Sequence, residues 1–455
     1  MLVVATAGVA AVMLAFYPVA HDVSPKAMPA LALILFSICM WATGALPEYV
    51  ASLIFFAVAT VAAIATPETI FSGFQSNAWW LVFGGLVIGA AADETGLGLW
   101  VARRALRHVT GSYASLIFAI LGGSLLLCFI IPSTFGRLAI VVPAVVAICR
   151  EIGHPVGSRG SMGAVIAAVF GNYTLGHGML PANLTNILLT GTGETLYDIH
   201  VTYGEYMLLN LPFVAAARTV LGGLLVVWLF KPKESGTPVP RNTDQPLSDA
   251  GKKLLVTILF ALVAWSTDFL HGVSSGWIAM IAMVVCLIPE IGIMPARVFV
   301  EKVSMVTLLF VAAVLGIGPV LSESGAGSLL GGILVEAVNA DGKSPAYGYF
   351  AMAYMASAAS VVSNISGSIA TVSQTAADIS SLTGLPLKTA VLAQVDGLTS
   401  VFFPYQALPV LVGLTMGGVP VIKAIRFSVV FAIAGLVLIV PLNFVYWQFL
   451  GYIPG

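Results

Sequence analysis

Pro132-Ser133-Thr134-Phe135-Gly136-Arg137 interrupts an apolar block that runs from about 113 to 149. The arm that returns from this turn, 138 to 149 before Arg150, gives only about 18 Å of helix at roughly 1.5 Å per residue. A bilayer core is about 30 Å thick, so the block is expected to fold back on itself as a re-entrant hairpin. Irregular backbone survives at membrane depth only where protein or a wet cavity satisfies it. The block near 345 to 382 carries Val362-Ser363-Asn364-Ile365-Ser366-Gly367-Ser368 in the same place.

Composition supports a membrane setting. Of 455 residues, 59% are hydrophobic and 9% charged, and 39 charges, 19 Lys and Arg plus 20 Asp and Glu, are too few for a water-soluble fold of this size. Apolar windows near 2–20, 27–46, 48–66, 77–95, 160–192, 204–230, 253–271, 275–290, 304–322, 387–414 and 425–450 predict eleven crossings beside the two hairpins. The first charge is Asp22, so the opening stretch is expected to be retained as a span rather than to act as a signal peptide. On this layout fourteen of the nineteen Lys and Arg fall on one side. The N-terminus and a Pro-rich 231–252 linker are then cytoplasmic and the C-terminus external, in a multi-pass protein of the cell (inner) membrane.

Several functions are excluded. A net charge of -1 without a basic tract argues against nucleic acid. Cys39, Cys128, Cys149 and Cys286 form no CxxC pair, and the six histidines no HExxH, so neither a disulfide framework nor a zinc site is expected. They read as buried free thiols. An integral-membrane enzyme would need clustered acids, whereas Asp396 is the one clear carboxylate in the proposed site.

Three spacings indicate duplication. Asp93-Glu94-Thr95-Gly96-Leu97-Gly98 and Ser322-Glu323-Ser324-Gly325-Ala326-Gly327 lie 229 apart, Ser133 and Ser363 lie 230 apart, and Pro181 and Pro409 lie 228 apart. An odd number of crossings between equivalents makes the repeats inverted. The first repeat, with an N-terminal span, covers 1–230, and the second 253–455. Each carries a broken helix beside its hairpin: Gly171 to Asn183 interrupts the run near 160–192, and Asp396 to Gln406 the run near 387–414. Such breaks expose helix ends near mid-membrane, where ions are held.

With Trp41-Ala42-Thr43-Gly44-Ala45-Leu46-Pro47, Phe71-Ser72-Gly73-Phe74, Phe83-Gly84-Gly85 and Pro143 ten residues beyond Ser133, the chain resembles the divalent-anion/sodium symporter family, the INDY-like dicarboxylate transporters. The resemblance implies an all-helical elevator-type transporter of small anions, working as a homodimer. It also implies a Ser-Asn-Thr signature at each tip. The second tip keeps Ser363 and Asn364 and has Ile365 for Thr; the first keeps Ser133 and has Thr134 and Phe135. Pro181-Ala182-Asn183 stands for the family's Pro-Pro-Asn, and Leu408-Pro409-Val410-Leu411 lacks the Asn.

Arg137 stands where exchanger branches resemble Ser-Asn-Thr-Ala-Arg. A fixed guanidinium there replaces a bound sodium as countercharge for an anion, which favours exchange over sodium- or proton-coupled symport. The substrate ligands expected are Ser133, Thr134, Arg137, Asn183, Ser363, Asn364, Ser366 and Gln406. His177 and Asp396 are candidates for proton coupling, with a structural histidine and a buried ion pair as the alternatives. No cofactor is expected, and Asn364 leaves one sodium position open.

Overall fold

The computed structural model describes residues 2–17, 24–106, 112–232, 246–327, 329, 336, 340 and 342–454. Among the described residues every regular element is helical. Most of the expected linker, 233–245, lies outside them, as do Arg107, Lys233 and Arg241. Four helices are by themselves long and apolar enough to cross a bilayer: Tyr113–Ile130, Tyr203–Phe230, Met305–Ser324 and Val421–Phe449.

The two halves present one succession of elements. In the first, Asn77–Glu94 ends at a left-handed turn on Gly96 (φ +71°). The hairpin Tyr113–Ile130 with Thr134–Glu151 follows, then the broken helix Arg159–Gly176 with Leu184–Tyr197. In the second, Met305–Ser324 ends on Gly325 (φ +80°). Its hairpin is Pro345–Val362 with Ile365–Val372 and Ala376–Thr383, and its broken helix Leu387–Leu398 with Leu408–Met416. A left-handed turn is cheap only for a residue without Cβ, which is why the Gly96 and Gly325 spacing survives in both sequence and structure. Each half closes with a long helix carrying a π turn, Leu211–Ala217 within Tyr203–Phe230 and Gly435–Ile439 within Val421–Phe449.

Two finer expectations change. The return arm of the first hairpin is Thr134–Glu151, 18 residues rather than the twelve from 138 to 149, hence about 27 Å of helix. Arg137, expected in the turn as a substrate ligand, is fully buried in the first turn of this arm. Length therefore does not distinguish the arm from a crossing. The repeat register also shifts. The residue that caps the return arm is Ser133 in one hairpin and Asn364 in the other, an offset of 231 (364 against 133). Ser363 instead ends the outgoing arm, its hydroxyl donating to the Ala359 carbonyl at 2.8 Å. Pro181 sits in the short 3-10 turn Leu180–Ala182, whose counterpart is Pro404–Gln406, while Pro409 begins the next helix.

Arg159–Gly176 is buried almost throughout, with both arms of the first hairpin packed on it. Its Gly, Ala and Ser positions let neighbouring backbones approach closely, as packing between membrane helices requires. The same device recurs in the second half, where Leu387–Leu398 lies against Pro345–Val362. The four cysteines are free thiols, three of them buried and Cys39 partly exposed.

Candidate functional site

Both hairpin tips and both helix breaks open on a single cavity of about 590 Å³. Ser133 and Thr134 line it from the first tip, Asn183, Leu184 and Thr185 from the first break, Asn364 and Ser366 from the second tip, and Gln406, Ala407 and Leu408 from the second break. The opposite wall comes from other helices, through Trp41, Thr43, Glu48, Thr307 and Phe310.

Four helices begin at this cavity. The residues preceding Thr134–Glu151, Leu184–Tyr197, Ile365–Val372 and Leu408–Met416 are Ser133, Asn183, Asn364 and Ala407, and all four line it. The first three cap their helices through the side chain. Ser133 Oγ accepts from Gly136 N–H at 3.2 Å, Asn183 Oδ1 from Thr185 N–H at 3.2 Å and Asn364 Oδ1 from Gly367 N–H at 2.8 Å. Each helix start carries about half a positive charge and further backbone donors. Four of them around one cavity favour a bound anion.

Arg137 lies beneath the first tip and does not line the cavity. Its Nη1 donates to the carbonyls of Ile131 (2.7 Å) and Ala182 (2.9 Å), and its Nη2 to Thr134 Oγ1 (3.1 Å) and the Asn172 carbonyl (3.2 Å). These four acceptors are neutral oxygens, so the guanidinium keeps its charge uncompensated by them. It pins the tip to the break and acts on a ligand through Thr134, which does line the cavity.

Gln406 plays the matching structural part in the second half. Its Oε1 accepts from the N–H groups of Phe402 and Phe403, both at 2.8 Å, and its Nε2 donates to Ser360 Oγ at 2.8 Å. Gln406 lines the cavity with an amide already engaged. Asn183 is engaged too, through Thr185 N–H and the contacts of its Nδ2 with Tyr173 O (3.4 Å) and His177 Nδ1 (3.2 Å).

The structure does not bring Ser363, His177 or Asp396 to the cavity wall. His177 is buried behind the first break, with Nδ1 2.9 Å from the Tyr173 carbonyl and its ring packed edge-on to Tyr173. Asp396 lies deeper in the second half, taking hydrogen bonds from the Tyr349 hydroxyl and from Asn443 Nδ2 (2.9 Å). Its neighbouring cation is Arg218, whose Nη1 donates to the Asp396 main-chain carbonyl (3.3 Å) and to Ser400 Oγ (3.2 Å). For sodium, the Asn364 side-chain oxygen is already the cap of its own helix.

Sequence reasoning missed Tyr173, Thr185, Thr43, Glu48 and Thr307. Tyr173 and Thr185 flank the first break, and a polar residue beside a break was the available signal. The Tyr173 hydroxyl is buried, and among the described residues Thr185 is the neighbour positioned to engage it. Thr43, Glu48 and Thr307 reach the cavity from distant segments, which no local pattern reveals.

Comparison with known proteins gives the family and the fold. The model of the sodium:sulfate symporter transmembrane region matches residues 1–453. A membrane protein of Cupriavidus necator is 25% identical over 273 residues, 58% of this chain and 53% of that protein, so the match spans about half of that relative. The L-tartrate/succinate antiporter of Escherichia coli strain UTI89 is 23% identical over 404 residues, 81% of this chain and 78% of that one. Among solved structures, the Alcanivorax borkumensis YdaH transporter superposes with a TM-score of 0.60 at 15% identity, covering 92% of this chain and all of that one. Neisseria gonorrhoeae MtrF, described as one of a class of antimetabolite efflux pumps, gives 0.54 at 12% identity, covering 96% of each chain. With the family model matched over residues 1–453, the chain belongs to the divalent-anion/sodium symporter family of membrane transporters.

Proposed function

We propose that this protein is a secondary carrier that exchanges small oxyanions, di- or tricarboxylates above all, across the cell membrane. The observation that carries the reading is the convergence of four helix N-termini on one cavity with a buried guanidinium beneath one tip. The naming of a relative as an L-tartrate/succinate antiporter points the same way. Exchange is favoured because Arg137 supplies as a fixed group the positive charge that a co-transported sodium would bring. An empty carrier then holds an uncompensated buried charge, and its return across the membrane is costly without an anion.

The walls of the cavity suggest how access alternates. One wall is built from the hairpins and broken helices, the other from Ala27–Thr43, Glu48–Val61 and the start of Met305–Ser324. An elevator movement carries the first group past the second, in a homodimer whose N-terminus is cytoplasmic and C-terminus external.

Proteoliposomes test this directly. With succinate inside, uptake of labelled succinate should exceed uptake driven by a sodium or a proton gradient without internal anion. The reverse ranking would identify a coupled symporter, and chemical conversion of the anion an enzyme.

A further inference from the structure

We propose that Glu48 reads a hydrogen-bond donor on the carbon chain of the transported anion, so that hydroxyl- or ammonium-substituted dicarboxylates are preferred over unsubstituted ones. The inference rests on the anion-carrier reading and adds the part of the substrate that reading leaves open. Among the described residues lining the cavity, Glu48 is the one charged side chain. Among the described residues its carboxylate forms no hydrogen bond or ion pair.

The position of the group is well held. Its main-chain carbonyl accepts from Trp41 Nε1 at 3.2 Å and from Ser52 Oγ at 2.8 Å, and Pro47 starts its helix. The side chain is half-buried, on the wall facing the hairpins. A bare carboxylate in a site that takes anions raises a question of charge, since two like charges in a medium of reduced dielectric repel strongly.

The grouping of the helix ends resolves it. The first tip is tied to the first break through Arg137 and the Ala182 carbonyl. The second tip is tied to the second break through Gln406 and Ser360. The four N-termini therefore form two pairs, and a dicarboxylate has two carboxylates for them. With both ends so placed, the middle of the chain is left toward the opposite wall, where Glu48 accepts a hydrogen bond from a hydroxyl or an ammonium but gains nothing from a methylene. A site built to accept from a donor rejects the analogue that lacks it, because its polar group is then left unpaired.

Competition against labelled-succinate exchange in proteoliposomes tests this with succinate, L-malate and L-aspartate as probes. In the unaltered protein malate or aspartate should compete at least about tenfold better than succinate, the ratio expected for one hydrogen bond to a charged group. The better of the two identifies the donor as hydroxyl or ammonium. In Glu48→Gln, and again in Glu48→Asp, that ratio should collapse toward one. If the unaltered protein ranks succinate with or above both analogues, or if Glu48→Gln keeps the original ratio, the inference is overturned while the carrier stands. A protein that exchanges none of the three overturns the dicarboxylate reading and this inference together. Should neither variant fold, the ranking in the unaltered protein still decides.

Discussion

The two hairpin tips share a backbone plan and differ in what fastens them. At the first, Arg137 gathers the Ile131, Ala182 and Asn172 carbonyls and the Thr134 hydroxyl around one guanidinium. At the second, a neutral amide does the fastening: Gln406 takes two main-chain N–H groups and gives one hydrogen bond to Ser360, and the Tyr405 hydroxyl donates to the Val361 carbonyl at 2.5 Å. The two halves share the breaks and the glycine turns, because those follow from backbone geometry. The fasteners are side-chain chemistry and have diverged, so one tip carries a charge and the other does not.

The sharpest test of this contrast compares two glycines at the ends of the broken helices. A Cβ on Gly397 would stand 1.9 Å from the Ala353 carbonyl oxygen and 2.8 Å from Ser357 N, both main chain. On Gly176 it would meet Arg137 Nη2 at 2.8 Å, a side-chain atom, and the Ala182 oxygen at 3.3 Å. The overlap at Gly397 is deeper and falls on main chain, whereas at Gly176 the guanidinium gives way only by loosening its hydrogen bonds to Thr134 and the Asn172 carbonyl. Gly397→Ala should cost about 3 kcal/mol or more and lower the yield of folded protein, and Gly176→Ala about 1 kcal/mol. Thermal unfolding in detergent measures both, and equal losses would mean that the second half packs no more tightly than the first.

Arg137→Gln removes the charge from the charged tip. With no direct hydrogen bond to the ligand, the lost charge acts only through the site's electrostatics, and anion binding should weaken by about tenfold. Stability should fall as well, because a single amide cannot serve carbonyls on both sides of the site. Arg137→Lys should restore binding in part, since it keeps the charge and loses the fork. Unchanged affinity in Arg137→Gln would reduce Arg137 to a fastener like Gln406. Conversely, Gln406→Glu makes the neutral tip negative and takes away the donor to Ser360. It should weaken anion binding severalfold, a smaller effect than losing a fully buried cation. Isothermal titration or competition for exchange reads out both changes.

What is legible in the sequence follows from the same division. Both tips and both breaks stand out because polar residues and prolines inside an apolar run are costly in a membrane unless the helix breaks there against protein or a wet cavity. The helix assignments on either side follow from them. The return arm comes out too short from sequence because Thr134 to Arg137 read as part of the turn and Arg150 as its far limit, whereas the helix starts at Thr134 and runs to Glu151; the acceptors that let Arg137 sit in its first turn are carbonyls exposed by a turn and a helix break, and those appear only once the chain is folded. The register is off by one at the second tip because Ser363 resembles Ser133 in type, whereas the capping role passes to Asn364. The wall formed by Thr43, Glu48 and Thr307 comes from other elements, so spacing along the chain carries no sign of it.

The smallest effect expected separates the two roles of Asn364. Its Oδ1 caps Ile365–Val372 through Gly367 N–H at 2.8 Å, and the residue lines the cavity. Asp is as good a cap as Asn, and a negative charge at a helix start is favourable by about 0.3 to 1 kcal/mol. Asn364→Asp should therefore leave thermal stability unchanged or slightly raised. The same charge competes with the transported anion for the same helix end, and the substitution removes the amide donor, so binding should weaken. Ser133→Ala at the other tip should behave in the opposite way, losing about 1 kcal/mol of stability with its cap while adding no charge. Unfolding temperature and anion affinity, measured on both variants, place the tips on one plot. If Asn364→Asp lost stability and kept its affinity, Asn364 would serve the fold alone, and the second tip would contribute to the site only through its main chain.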